Sequence, residues 1–409
     1  MSPTTGAKRG ARAEGKRVLM IGLGHLGVRV LEVLLRDPGP HVYLLAGREP
    51  ERIRRVANLA RQYGAAFGDR VAVEPVEIDV ADIAATAATL ERLDPDLIFA
   101  AVSLQSWWVV STLPPALAAA LEPACVGPWL PMHLTLIYEL MQAVRAAGSD
   151  ATVVNAAYPD VTHPVLATAD LAPDVGIGNI AIPLVGLRLA LADEHGVDLD
   201  RVQIRAVFHH HVNYKATRSG DPRPAPFHVS AWLGEPDQPA AGEPLPVDPA
   251  TVFAPLATTL KRASGPHFQH IAAAAAGVVL RALLDETETY THAPGPAGLP
   301  GGYPVRIAEG VVQVTLPDGM DLATARRIND GGALLDGIER IADDGTVHFR
   351  AENAEPLRQY LGYDASPLPL AESRARSVDL MQRFVELAVT GAHRAGQPHD
   401  DLDQARSLR

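Results

Sequence analysis

Two groups of residues carry the means for chemistry. One is a glycine run, Gly22-Leu23-Gly24-His25-Leu26-Gly27, spaced as G-x-G-x-x-G. It follows an apolar stretch, Arg17 to Ile21, and opens a segment with apolar residues at helical spacing. That strand–loop–helix setting separates a dinucleotide-binding loop from a chance match or a structural turn. Gly22 permits the tight turn, Gly24 lets a diphosphate reach the backbone, and Gly27 lets helix and strand close up. The helix start, with His25 and Leu26, offers unpaired N–H groups to the phosphates.

The other group is His209-His210-His211, ending an apolar strand read over Val202 to Phe208. Strand alternation puts His209 and His211 on one face and His210 on the other, so at most two share a site without a bulge. An imidazole near pH 7 can pass the proton that accompanies hydride transfer; interior hydrogen bonding is the plainer alternative. We read His210, His211, Asn155 and Tyr158 as the catalytic candidates. Asn155 would orient a carbonyl or amide and Tyr158 would give a proton, while Asp160 reads as a helix cap. Arg188, Lys215, His267, His209 and Trp107 are candidates for holding substrate. His270 and Trp108 have structural duty as the competing role.

The end of the second strand decides which dinucleotide fits. An NAD site places an acidic residue there for the ribose hydroxyls. Here the sequence is Leu45-Ala46-Gly47-Arg48, with Arg52 one helical turn on. A guanidinium suits a 2′-phosphate and no carboxylate repels it, so the expected cofactor is NADP. Asp79 reads as an adenine partner or a cap; Ser103 and Gln105 fall where the nicotinamide half would lie.

The elements that must position these residues alternate. Strands are expected at Arg17–Ile21, His41–Leu45, Val71–Ile78, Leu97–Val102 and Thr152–Asn155. Helices are expected at Val28–Arg36, Pro50–Tyr63, Ile83–Leu93 and Leu134–Ala147, with an irregular, short-helical stretch at Leu104–Pro131. This is the grammar of a doubly wound parallel sheet. Beyond it come helices at Leu184–His195, Ile271–Leu284 and Val378–Thr390. Strands follow at Val202–Phe208, near His228–Leu233 and around Glu309-Gly310, with Pro-rich loops at Ser219–Pro226 and Glu235–Pro249. The expected architecture is α/β: a Rossmann domain over 17–157 and an α+β substrate and dimerisation domain over 158–392. A disordered leader (1–16) and a loose polar tail (393–409) flank them.

Composition agrees with this plan. A chain of 409 residues is long for one core. The formal charge of −12 disfavours a nucleic-acid or anionic-membrane partner. Cys125 is the single cysteine, so no intramolecular disulfide or cysteine zinc cage is available. No membrane span or secretory signal is evident. These features predict a cytoplasmic protein, and we expect a homodimer without a metal.

Residues 17–103 resemble the NADP-binding domain of the saccharopine dehydrogenase-like group through G-L-G-H-L-G, A-G-R-E-P-E-R (46–52) and E-I-D-V-A-D (77–82). The second half is similar in layout to lactate/malate dehydrogenases and family 4 glycosidases. It has V-V-N-A-A-Y-P-D-V-T-H-P-V-L (153–166), G-I-G-N (176–179), Glu194-His195-Gly196-Val197 and the histidine-ended strand. Gly265 and His267 precede the long helix, and Gly298-Leu299-Pro300-Gly301 precede late strands. The hydroxyacid dehydrogenase layout implies His210 as the catalytic histidine. Pro183 stands where that family's Asp partner falls, and Gly186 where its carboxylate-binding Arg falls. The mobile-loop Arg has no counterpart in Ser103 to Thr112, and G-I-G-N lacks the glycosidase metal cysteine. The expectation is an NADP(H)-dependent oxidoreductase acting on a C=O or C=N carbon of a small polar substrate of amino-acid, imino-acid, opine or keto-acid type. Redox-assisted elimination or hydrolysis, and a non-catalytic NADP sensor, are the alternatives.

Overall fold

The apolar runs of the first half are short and hydrophobic at consecutive positions, which suits strands covered on both faces. In the computed structural model, which describes residues 15–234, 242–263 and 265–395, they form one six-stranded parallel sheet. The elements are β1 (Arg17–Ile21), α1 (His25–Leu34), β2 (Val42–Gly47), α2 (Pro50–Ala66), β3 (Ala72–Glu77), α3 (Ile83–Leu93) and β4 (Leu97–Ala100). Then follow α4 (Pro115–Leu121), α5 (Leu130–Ala146), β5 (Thr152–Asn155), α6 (Pro159–Ala167) and β6 (Val175–Gly176). The strand order is β3-β2-β1-β4-β5-β6. Its reversal between β1 and β4 opens a crevice beyond the strand ends, where such sheets bind ligands.

Alternate residues of each strand enter opposite cores. Leu19, Ile21, Ile98 and Val153 join one with α3 and α5; Val18, Met20, Phe99 and Val154 join the other with α1 and α2.

The second half comprises α7 (Ala181–His195), β7 (Val202–Val207), α8 (His210–Ser219), β8 (His228–Leu233), β9 (Glu243–Leu245), α9 (Gln269–Asp285), β10 (Thr289–Pro294), β11 (Gly302–Ala308) and β12 (Val311–Val314). It ends with α10 (Leu322–Leu335), β13 (Ile338–Ile341), β14 (Val347–Phe349), α11 (Ala351–Leu361) and α12 (Ser373–Ala395). Strands β7-β8-β9 and β10-β11-β12 make antiparallel sheets, and β13 pairs with β14. This is a Rossmann α/β unit followed by α+β structure.

Three readings change. The parallel sheet continues past residue 157 to β6. The loop expected from Ser219 is preceded by a helix, α8, that starts at His210 where the strand was expected to end. The segment 317–377, which carries little periodicity, holds α10, β13, β14 and α11. The last of these and α12 return to the first half: Leu357, Leu361, Leu380 and Phe384 share a core with α3 and α5. Residues 1–14 of the expected leader, 235–241 of the Pro-rich loop and 396–409 of the expected tail lie outside the described residues. Lys16, expected in the leader, is anchored: its Nζ donates to Leu283 O (2.6 Å) and pairs with Glu286 (2.9 Å). Among the described residues no helix is long and apolar enough to cross a membrane.

Candidate active site

The glycine loop joins β1 to α1 as its spacing requires. Gly22 has φ +92°, and a Cβ there would meet the Ala101 carbonyl oxygen at 2.3 Å. A Cβ on Gly27 would lie 2.0 Å from Gly22 O, so glycine is what lets helix and loop touch. Gly24 differs: among the described residues nothing lies within 4 Å of its Cβ position, and no side chain caps α1. The first N–H groups of α1 therefore face open space, a cradle for an anion. Beside it, Arg52 donates to Leu23 O (3.1 Å), and Arg48 follows Gly47 exposed at the end of β2. Asp79 is engaged as a turn cap, accepting from the Ala81 N–H (3.1 Å).

From this cradle a cavity of about 950 Å3 runs to the histidines. His25, Ser103, Gln105, Trp107 and Trp108 line its cofactor end. Gln105 is buried, and among the described residues neither its amide nitrogen nor its amide oxygen has a partner. Trp108 lies over His25 with ring centroids 6.2 Å apart, and Trp107 sits exposed, edge-on to Phe268 (5.7 Å).

At the other end the histidines do not alternate as in a strand. His209 is extended and caps α8, its Nδ1 accepting from the His211 N–H (3.5 Å). Asp160, on α6, accepts from the His210 N–H (2.9 Å) and is held by Asn179. With the helix starting at His210, all three rings fan around one buried carboxylate, Asp336, at the C-terminus of α10. His210 Nδ1 lies 2.7 Å from Asp336 Oδ2, His211 Nδ1 lies 3.4 Å from Oδ1, and His209 Nδ1 lies 3.8 Å from Oδ2. Tyr158 donates its hydroxyl to Oδ2 at 2.7 Å.

A carboxylate only accepts, so His210 carries its proton on Nδ1 and presents Nε2 as the remaining ring nitrogen. Burial opposes protonation of His210, but the charge and hydrogen bond of Asp336, with Asp160 behind, outweigh it and raise its pKa above the ordinary value. Burial likewise opposes ionisation of Asp336, and the surrounding imidazoles outweigh that, holding it well below the usual carboxylate range. Burial and Asp336 push the Tyr158 phenol well up, so it stays protonated as a clamp on the carboxylate rather than a proton source. Burial lowers His133, edge-on to Tyr158, to about 4 and keeps it neutral. His209 is also lowered by burial.

The cavity face of α8 presents His210, Asn213, Tyr214, Thr217 and Arg218, at i, i+3, i+4, i+7 and i+8. Opposite Asn213 stands Arg262, which donates to Asn213 Oδ1 (3.3 Å) and Ile182 O (3.2 Å) and lies over the Phe268 ring (4.9 Å). Burial lowers Arg262 to about 10, so it remains cationic at neutral pH. Among the described residues no carboxylate pairs with it.

Several candidates stand outside the cavity. Asn155 spends its amide on Ala157, Thr162 and His163. Arg188 ties α7 to the start of β7 through Val202 O (3.0 Å) and Leu199 O (2.9 Å). Lys215 and His267 point from the same elements as lining residues but do not line it, and His209 and His211 lie behind His210. Asp336 and Arg262 were missed. An Asp-Gly at a helix end reads as an ordinary terminus, and Lys261-Arg262 reads as a solvated loop; only the positive charge before Gly265 gave a signal. Cys125, His211 and Asp336 bring one potential metal-ligating atom each within 4.8 Å of one another, a grouping separate from the expected absence of metal.

No family model matches the chain, and no curated protein matches it. Solved structures share its architecture. The lactate dehydrogenase of Cryptosporidium parvum, complexed with lactic acid and β-nicotinamide adenine dinucleotide, gives a TM-score of 0.52 at 15% identity, over 80% of this chain and 99% of that one. A lactate dehydrogenase from a Medee basin deep-sea metagenome library gives 0.51 at 12% identity, over 79% and 97%. The malate dehydrogenase of Plasmodium falciparum in complex with NADH gives 0.51 at 13%, over 78% and 96%. These likenesses establish the fold and match the layout inferred for the second half. The saccharopine dehydrogenase-like resemblance of residues 17–103 has no counterpart among them.

Proposed function

We propose that this chain is an NADP(H)-dependent oxidoreductase acting on a keto- or imino-acid type C=O or C=N carbon, with His210 as the proton donor and acceptor. One observation carries the reading: a single cavity joins the open helix-start cradle at Gly24 to an imidazole held by a buried carboxylate. The residues fit a nicotinamide dinucleotide. The diphosphate would meet the α1 N–H groups, the 2′-phosphate would meet Arg48, with Arg52 held beside it on Leu23 O and paired with Glu49 (4.0 Å), and the carboxamide would meet the Gln105 amide.

A bound nicotinamide would supply the hydride for reduction of the substrate carbon, becoming oxidised itself, or accept it in the reverse reaction, becoming reduced. The chain does the rest. Protonated His210 gives its Nε2 proton to the developing oxyanion or amine, and Asp336 stabilises the imidazolium and fixes its tautomer. Arg262, one helical turn from His210 through Asn213, holds the substrate carboxylate. The acidic partner that Pro183 cannot provide thus comes from α10, and the guanidinium that Gly186 cannot provide comes from the loop before α9.

NADP over NAD rests on Arg48. Its replacement by Ala is expected to weaken NADPH by about 10- to 100-fold, the range of a charge-assisted contact, and to leave NADH nearly unchanged. Equal losses in calorimetric titrations would remove the phosphate assignment. A second reading draws support from the Cys125–His211–Asp336 grouping: redox-assisted elimination or hydrolysis, marked by a requirement for added Mn2+ and no net NADPH turnover.

A further inference from the structure

The apolar wall of the cavity says more about the substrate than its reacting carbon does. Between Gln105 and Met132 the chain contributes η-turns and α4, and its lining residues include Val110, Leu113, Leu121, Val126, Trp129 and Met132. Ser106, Ser111, Glu122 and Cys125 lie among these apolar residues, and the cationic side chains of the cavity, Arg218, Lys261 and Arg262, come from α8 and the loop before α9. Glu122, the acidic member of this wall, is already engaged with Tyr214 (3.1 Å) and Arg218 (3.8 Å). At about 950 Å3 the cavity is at the top of the ~300–1,000 Å3 range that holds a drug-sized ligand. A three-carbon acid held between His210 and Arg262 has only a methyl group to set against this wall.

We infer that the substrate is a 2-oxo acid, or the matching 2-imino acid, whose side chain is bulky and apolar, of branched-aliphatic or aromatic size. This rests on the reading of His210 and Arg262 given above. The carboxylate sits on Arg262, the reacting carbon faces His210, and the side chain covers the Val110–Trp129 wall. Reduction forms a C–H bond from the cofactor hydride and an O–H bond from the His210 proton, giving the 2-hydroxy acid and NADP+. Covering that wall is what distinguishes a large side chain from a methyl group, since binding follows apolar area removed from water.

The test compares pyruvate, 4-methyl-2-oxopentanoate and phenylpyruvate with the full chain. NADPH oxidation gives kcat/KM, and calorimetry gives binding to the NADP+-saturated protein. Both should rise along the series, by about 50- to 100-fold from pyruvate to phenylpyruvate. Ala118→Trp, on the part-exposed cavity face of α4, should level or reverse that order; Ala118→Leu serves, with a smaller effect in the same direction, if the first variant melts early. Arg262→Ala should weaken all three acids alike, with partial recovery in Arg262→Lys. A flat or pyruvate-favouring series in binding overturns the substrate class. Graded binding without NADPH oxidation keeps it and overturns hydride transfer instead. NADPH binding with no affinity for any of the acids overturns the substrate class as well.

Discussion

His210 and Asp336 meet across 126 positions of sequence, and their chemistry is that of a pair. Asp336 ends α10, where the helix dipole disfavours an anion, and it is buried. It can stay ionised there because imidazoles surround it. The linkage follows from the two directions of shift. The raised His210 contributes stability in full below about pH 6.5, lost as pH rises through its folded value; the depressed Asp336 contributes in full above about pH 4, lost on acidification. Between those limits the pair is intact. Activity inherits the same logic: reduction needs the imidazolium and declines above the His210 pKa, while oxidation rises with pH. Asp336→Asn removes what raises that pKa, so the profile for reduction should move to lower pH, read from kcat/KM against pH. His210→Asn should cut kcat by about 10²- to 10⁴-fold with NADPH affinity retained; a matched loss of both would make His210 structural.

At the scale of elements, the β1–α1 junction separates two duties of glycine. Gly27→Ala pushes a methyl group into a backbone oxygen and should lower Tm by several degrees even without cofactor. Gly24→Asp adds a side chain where there is open space, at a helix cap that favours it. Its Tm should hold or rise, yet its carboxylate occupies the anion cradle and NADPH binding should be lost. A variant that still bound NADPH tightly would place the diphosphate elsewhere. The helix α8 makes the corresponding point for the histidines. Three in a row at a strand end promise two faces, whereas three at a helix start, with His209 as cap and Asp160 accepting from the His210 N–H, converge on one carboxylate.

Over the whole molecule, the two halves share cores. The last helix reaches back so that Phe384 meets Trp129 edge-on (5.8 Å) beside α5, under the apolar wall of the cavity. Phe384→Ala is expected to cost about 3–5 kcal/mol, measured by urea denaturation. It should do so within one cooperative transition, because no boundary separates that helix from the parallel sheet. Two resolved transitions would mean that the C-terminal helices fold apart. The same helix pair, α11 and α12, packs behind the segment that carries Val126 and Trp129, so the shape of the substrate end depends on the far end of the chain.

What the sequence determined alone is local. Five parallel strands, the glycine cradle and Arg48 follow from period, turn chemistry and spacing within about thirty residues, and they stand where those rules put them. His210 was legible as a candidate for proton transfer because an imidazole titrates near neutral pH and the dehydrogenase-like layout falls on it. Its carboxylate was not. Asp336 lies in a stretch of weak periodicity, its buried state is set by α6, α8 and α10 meeting, and an Asp-Gly at a helix end looks the same exposed or buried. Arg262 was hidden for the same reason, as a loop cation whose place opposite α8, without an acidic partner among the described residues, only packing reveals. Asn155 and Arg188 went the other way: Asn155 is held by Ala157, Thr162 and His163, and Arg188 by the Val202 and Leu199 carbonyls, so neither faces the cavity. Which side chains meet across the fold is a property of tertiary structure, as the 126-residue reach from His210 to Asp336 shows, and packing decided which candidates face the cavity.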